Sequence, residues 1–230
     1  MAASQPTLLI PARRPSGRFF YLFVMQVLLI LLFPYLAKPG LPTVIFRLFS
    51  AMAFLSDVYA VSEKRAQWVT ALILAVLSGV LNGLFALRPD PQVAVPSLVS
   101  SILFLGFTLV ALLRAVLRTE RITPDTIYGA LSAYLMMAFV WGVAYLLLET
   151  LQPGALAIDS ARHPNHTIDQ FDCMFYSFVT LTSLGYGDIV PITGQARSLC
   201  ILEAVSGIMY VAVLIARLVG LYSVTKSDRV

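Results

Sequence analysis

Long stretches of this chain are apolar at nearly every position, with no polar face. Charge-free runs of this kind are Phe19–Ala37, Ala66–Leu87, Pro91–Leu113 and Thr126–Leu148. A helix needs about 20 largely apolar residues to cross a hydrocarbon layer roughly 30 Å thick, and each run is long enough. Two more runs carry charges inside them: Val44–Val61 holds Arg47 and Asp57, and Ser198–Ser223 holds Glu203 and Arg217. The pattern predicts an all-α integral membrane protein with six transmembrane helices. Pro and Gly gather at 39–42, 88–91 and 152–154, which marks connecting loops. The long break from Glu149 to Arg197 has a different texture. Within it, Ile168–Thr180 reads as a helix about 20 Å long at ~1.5 Å per residue, too short to cross. Thr167 and Gln170 fit a capping box at its start, where Asp169 and Asp172 suit the positive end of the helix dipole. Such a helix dips in from one face and stops at mid-depth. The chain then has to return through Ser183–Gly187 without being helical.

Composition narrows the class. Of 230 residues, 59% are hydrophobic and 12% charged, with a mean hydropathy of +0.84. Soluble domains carry about 25% charged residues, so a soluble enzyme, a disordered chain and a disulfide-rich secreted module are all excluded. Cys173 and Cys200 fall within apolar stretches and read as small buried hydrophobes. The net charge of +4 comes from basic residues scattered between spans, a topology signal rather than a nucleic-acid surface. With the N-terminus in the cytoplasm, Arg13, Arg14, Arg18, Lys64, Arg65, Arg114, Arg118, Arg121, Arg217, Lys226 and Arg229 fall on the inner side. Only Lys38, Arg47, Arg88, Arg162 and Arg197 fall outside. Both termini are therefore expected in the cytoplasm, and the first apolar run is expected to remain as a span rather than be cleaved as a signal. The excess of arginine over lysine points to a GC-rich bacterial genome, hence a bacterial inner (plasma) membrane. No Gly-x-Ser-x-Gly or His-Glu-x-x-His motif occurs, so no enzyme and no cofactor is expected.

Non-helical backbone at membrane depth survives only where it lines a water-filled cavity or is buried in protein. Gly185 and Gly187 accept positive φ at little cost, so left- and right-handed backbone can alternate and turn successive carbonyls the same way. A column of such carbonyls forms oxygen cages for a dehydrated monovalent cation, with the Ser183 hydroxyl added at the inner end. The stretch Thr180-Leu181-Thr182-Ser183-Leu184-Gly185-Tyr186-Gly187-Asp188 resembles the selectivity filter of tetrameric potassium channels, whose pattern is Thr-x-Thr-Thr-Val-Gly-Tyr-Gly-Asp. The resemblance runs over roughly 165–222, through the aromatic pair Phe175 and Tyr176 to Gly207 at the family's hinge-glycine position. It implies that Ser183, Leu184, Gly185, Tyr186 and Gly187 supply the K⁺ ligands, supported by Thr180, Thr182 and Asp188, with K⁺ as the permeant species. It also implies a homotetramer embedded in lipid. Ser183 stands for the family's Thr and Leu184 for its Val, departures that bear on conductance and the innermost ion site. Val179 stands where some members carry an acidic partner for the filter Asp. The implied layout is a cytoplasmic tail over 1–18, a four-helix sensor-like bundle over 19–118, a linker over 119–125, a pore domain over 126–223 and a tail over 224–230.

In the sixth span, helical spacing from Gly207 turns Ile208, Val211 and Ile215 toward the axis as an apolar cavity wall. Glu203 is expected to hydrogen-bond behind the filter, to Ser183, Thr182 or a buried water, the alternative being a protonated or outward-facing group that tunes nothing. Arg217 is expected to snorkel to the inner headgroups, with contact to anionic lipid as the alternative. The fourth span carries no arginine; Arg114, Arg118 and Arg121 begin where its apolar run ends and read as anchors, so voltage gating is expected to be weak or absent. Asp57 and Arg114 lie at similar depth and are expected to form an ion pair within the bundle. The short connection before the fifth span, interrupted by Pro124, is expected to keep each bundle against its own pore helices. His163 and His166 read as solvated loop residues. The alternatives to a potassium channel are a weakly selective cation pore, a carrier subunit, or a non-conducting sensor or structural membrane protein.

Overall fold

A computed structural model describes residues 17–36, 65–88, 90–119, 123–158 and 167–227. Most of its helices begin where a side chain can accept their unpaired first N–H groups. The first, α1 (Arg18–Leu36), has its Phe19 and Phe20 N–H groups accepted by Asp125 Oδ1, at 3.2 and 3.3 Å. Helix α2 covers Arg65–Leu87. Helix α3 (Pro91–Arg118) opens on Asp90, whose carboxylate accepts the Gln92 N–H at 2.8 Å, with Pro91 in the first turn, where its missing N–H costs nothing. It closes on Thr119, whose N–H and Oγ1 both turn back to the last turn's carbonyls. Helix α4 (Pro124–Leu151) repeats the device, with Thr123 as cap and Pro124 at its start.

Beyond α4 come strand β1 (Leu156–Ile158), the short helix α5 (Gln170–Leu181), strand β2 (Ile189–Pro191) and the long α6 (Gly194–Ser227). The strands pair antiparallel, with Leu156 opposite Pro191 and Ile158 opposite Ile189. Glu149 clamps the approach to them, accepting the Gly154 N–H at 2.7 Å and the Leu156 N–H at 3.0 Å.

Among the described residues four helices are long and apolar enough to cross a membrane, over 67–87, 91–118, 124–151 and 194–220. Helix α1 is a shorter apolar helix over Arg18–Leu32. The core lies along α4. Near one end Phe19 and Leu22 of α1 and Leu112, Ala115 and Val116 of α3 pack on Ala130 and Ala133. Near the other, Tyr145 packs with Leu156, Cys173, Tyr176, Ile189 and Ala196. Thus α1 and α3 rest on α4. Between α2 and α3 an apolar contact of Ala71 with Phe104 is joined by polar ones: Asn82 Nδ2 donates to Ser101 Oγ at 2.9 Å, and the Ser78 and Ser101 hydroxyls meet at 3.2 Å. Interhelical hydrogen bonds of this kind replace the hydrophobic drive that a lipid solvent cannot supply.

Several expectations need correction. The fold is helical as expected, with one addition, a three-residue strand pair between α4 and α6. Pro124 does not interrupt a linker running to residue 125; it opens α4, since proline fixes φ as the first turn requires. Helix α6 passes the expected boundary at 223 and continues to Ser227. The expected second span Val44–Val61 lies outside the described residues, and with it Asp57; its proposed partner Arg114 is exposed on α3. His163 and His166 also lie outside the described residues.

Candidate functional site

The site is built on the short helix. Asp169 Oδ1 accepts the N–H groups of Phe171 (2.7 Å) and Asp172 (3.0 Å), and Asp172 Oδ2 accepts the Asp169 N–H at 2.8 Å. The capping box is therefore Asp169 with Asp172, not Thr167 with Gln170. A carboxylate at both reciprocal positions answers the positive helix end more strongly than a hydroxyl and an amide can. The helix starts at Gln170 and ends at Leu181, about 18 Å long at ~1.5 Å per residue, little more than half the depth of a hydrocarbon core.

Its exit is a Schellman turn. Thr182 is the cap, Ser183 follows at φ +56°, the Ser183 N–H reaches the Thr180 carbonyl at 3.0 Å, and the Leu184 N–H reaches the Val179 carbonyl at 2.9 Å. The usual occupant of that left-handed position is glycine, so Ser183 is the strained member. Positive φ then recurs at Gly185 (+60°) and Gly187 (+79°), while Leu184 and Tyr186 stay on the ordinary side. Left- and right-handed residues thus alternate over 183–187, as the glycine spacing anticipates, with Ser183 extending the alternation by one place.

Residues 182–187 are all exposed in the single chain, Leu184 at 56% and Tyr186 at 66%. That is an unusual state for a strand held between apolar helices. The Thr182 hydroxyl turns back to the Phe178 carbonyl at 2.7 Å, and Thr180 is buried in the last turn of α5. Asp188 Oδ1 accepts the Ile189 N–H at 3.1 Å as the chain enters β2. The Tyr186 ring lies parallel to Phe175, centroids 6.3 Å apart, bracing the exposed strand from its own helix.

Behind α5 stands a wall that the sequence reading saw only in part. Glu203 of α6 is fully buried. Its partners are neither Ser183 nor Thr182: Tyr145 of α4 donates to Oε2 at 2.7 Å, and Ser177 Oγ lies 2.5 Å from Oε1. The reason is register, since Glu203 faces the middle of the short helix rather than its exit. Ser177 Oγ also lies 2.8 Å from the Ala138 carbonyl oxygen. At the helix exit Tyr134 donates to the Leu181 carbonyl at 3.1 Å and stacks on Tyr210, whose hydroxyl donates to the Ala130 carbonyl at 2.6 Å.

Gly207 is buried, and a Cβ there would collide with the Leu181 carbonyl oxygen. Its role in this structure is close approach of α6 to the short helix, and α6 runs through it without a break. Ile208, Val211 and Ile215 are exposed at 60%, 41% and 56%, on a flank of α6 that its own chain leaves bare. Arg217 does not simply reach for headgroups: its Nη2 donates to the Thr119 carbonyl at 2.6 Å, because a helix C-terminus leaves its last carbonyls unpaired and negative.

Tyr134, Tyr145, Ser177 and Tyr210 are the functional-wall residues missed from sequence. The available signal was that Tyr134 and Tyr145 stand three helical turns apart on one face of an otherwise apolar run.

Two long apolar helices, α4 and α6, thus flank a re-entrant helix followed by a bare, glycine-alternating strand of peptide oxygens. Such oxygens are hard ligands suited to a hard cation, and the arrangement is that of the pore unit of a membrane ion channel. The comparisons agree: residues 133–223 match the ion channel family, and the chain belongs to it. It is similar to the protein LctB of Bacillus caldotenax, 30% identical over 105 residues, covering 44% of this chain and 75% of that protein. The LctB of Geobacillus stearothermophilus is 26% identical over 102 residues, with the same shares covered. No solved structure matches.

Proposed function

We propose that the chain is one subunit of a homotetrameric, potassium-selective channel that conducts K⁺ passively. Four copies around an axis bring four 183–187 strands together, and their carbonyl oxygens replace the ion's water shell, with Ser183 contributing at the inner end. The observation that carries this reading is the alternation of backbone handedness at Ser183, Gly185 and Gly187 in a strand left exposed by its own chain. In the tetramer Ile208, Val211 and Ile215 wall an apolar cavity below the filter. Each subunit has six spans, with Val44–Val61 as the second and Asp57 paired to Arg114, both termini in the cytoplasm and the plasma membrane as host.

Gating by voltage is weak or absent, since Arg114 and Arg118 sit at the end of α3 rather than within its apolar length.

The test is flux from liposomes containing the purified protein, with potassium and sodium gradients compared. Potassium flux well above sodium flux is expected. Equal fluxes would favour the weakly selective cation pore that the Ser183 and Leu184 departures allow, and no flux of either ion would favour a non-conducting sensor.

A further inference from the structure

The hydrogen bonds around Glu203 contain one more link than their hydroxyl protons can make. Ser177 Oγ stands 2.8 Å from the Ala138 carbonyl oxygen, an ordinary O–H···O distance, and is also in hydrogen-bond contact with Glu203 Oε1, closer than an ordinary bond. A serine hydroxyl has one proton, and the Ala138 carbonyl can only accept. The tyrosine proton is already spent, because Tyr145 donates to the other carboxyl oxygen at 2.7 Å. If Ser177 serves Ala138, the Ser177–Glu203 contact needs a proton from the glutamate. Among the described residues the titratable groups that interact with Glu203 and its partners are Tyr134 and Tyr145 from α4, Tyr176 from α5 and Cys200 from α6, with no cation among them to balance a carboxylate.

We infer that Glu203 stands at neutral pH as an uncharged carboxylic acid that donates its proton to Ser177 and so positions the filter helix. The network then runs in one direction. Tyr145 of α4 donates to Glu203 of α6, Glu203 donates to Ser177 of α5, and Ser177 donates back to Ala138 of α4, two turns from where the circuit began. Three helices are closed into one ring of hydrogen bonds, each link running donor to acceptor. Loss of the proton would force Ser177 to choose between Glu203 and Ala138, and one tie between the filter helix and the rest of the chain would open. The consequence for flux rests on the channel reading above; the location of the proton does not.

The experiment is infrared difference spectroscopy of the intact chain in lipid at neutral pH, with E203Q as reference. Glutamine can reproduce both contacts, its amide N–H donating to Ser177 and its oxygen accepting from Tyr145. The expected result is a carboxylic-acid C=O band, shifted by deuterium exchange, that is present in the native chain and lost in E203Q. A difference spectrum holding only carboxylate bands would overturn the assignment. Should E203Q fail to assemble, the native chain with carbon-13 at its glutamate carboxyls serves instead. Of Glu63, Glu120, Glu149 and Glu203, one is expected to resonate as an acid, and four carboxylate signals would overturn it. Potassium flux measured on the same samples separates the two ideas. An acid signal without flux sinks the channel reading alone, and flux with carboxylate signals sinks the proton assignment alone.

Discussion

Gly185 sits at φ +60° in open space, so a methyl group there meets no neighbour and only the backbone resists it. Left-handed backbone costs an L-residue roughly 1–2 kcal/mol, and a strand that must keep several carbonyls aligned cannot shed that strain elsewhere. Gly185→Ala is expected to abolish potassium flux while the chain still folds and reaches the membrane, read by liposome flux beside a stability scan. Ser183 already bears a similar strain, and Ser183→Gly relieves it. The expected outcome is a protein no less stable than the native chain but with altered flux at the inner end, where the hydroxyl is lost. Gly207 is limited by space rather than by dihedral angle. In Gly207→Ala the new methyl drives into the Leu181 carbonyl, and overpacking of this sort costs about 1–3 kcal/mol. A lower melting temperature and disturbed flux are expected together.

At the scale of the element, the short helix depends on its entry. Asp169→Ala removes an acceptor from two N–H groups, a loss typically worth about 1 kcal/mol. Loosened order of α5, seen as faster amide exchange over 170–174, is the expected readout. Much of this element was legible in the sequence because its causes are local: carboxylates at the start, an apolar stretch too short to span, and glycines two apart at the exit. The cap was read two residues early because Thr167 and Asp169 compete within one turn, and only the reciprocal bond from Asp172 decides between them. The partners of Glu203 were not legible. Ser177 and Tyr145 are 26 and 58 residues away on other helices, and nothing in an apolar run tells which flank meets which neighbour. The strand pair was missed for a related reason: three residues on each side are too few to alternate visibly, and the Glu149 clamp that sets them lies in the preceding helix.

For the whole molecule, the distribution of charge along α3 bears on how the pore responds to a field. Moving one charge through 100 mV is worth about 2.3 kcal/mol, and no arginine lies in the apolar length of that helix from Pro91 to Leu113. Current–voltage curves from the reconstituted protein are expected to rise without steep activation, and a steep sigmoid would contradict the proposed layout. The bond from Arg217 to Thr119 joins the far end of α6 to the end of α3. Arg217→Ala frees it, so the fraction of time the pore conducts is expected to change in single-channel records while the ratio of potassium to sodium current does not.

The strand pair and this arginine bond divide α6 unequally. Near its start the chain is stitched to the end of α4 by paired backbone and by Arg197, which donates to the Pro191 carbonyl. Toward its finish, among the described residues, side chains rather than paired backbone hold it: Tyr210 and Leu214 pack near the ends of α4 and α3, and Arg217 bonds the Thr119 carbonyl. On the proposed channel reading, any throttle on the stream of ions is expected at the foot of α6, where side chains alone tie it down, and the sieve at its other end is expected to stay undisturbed.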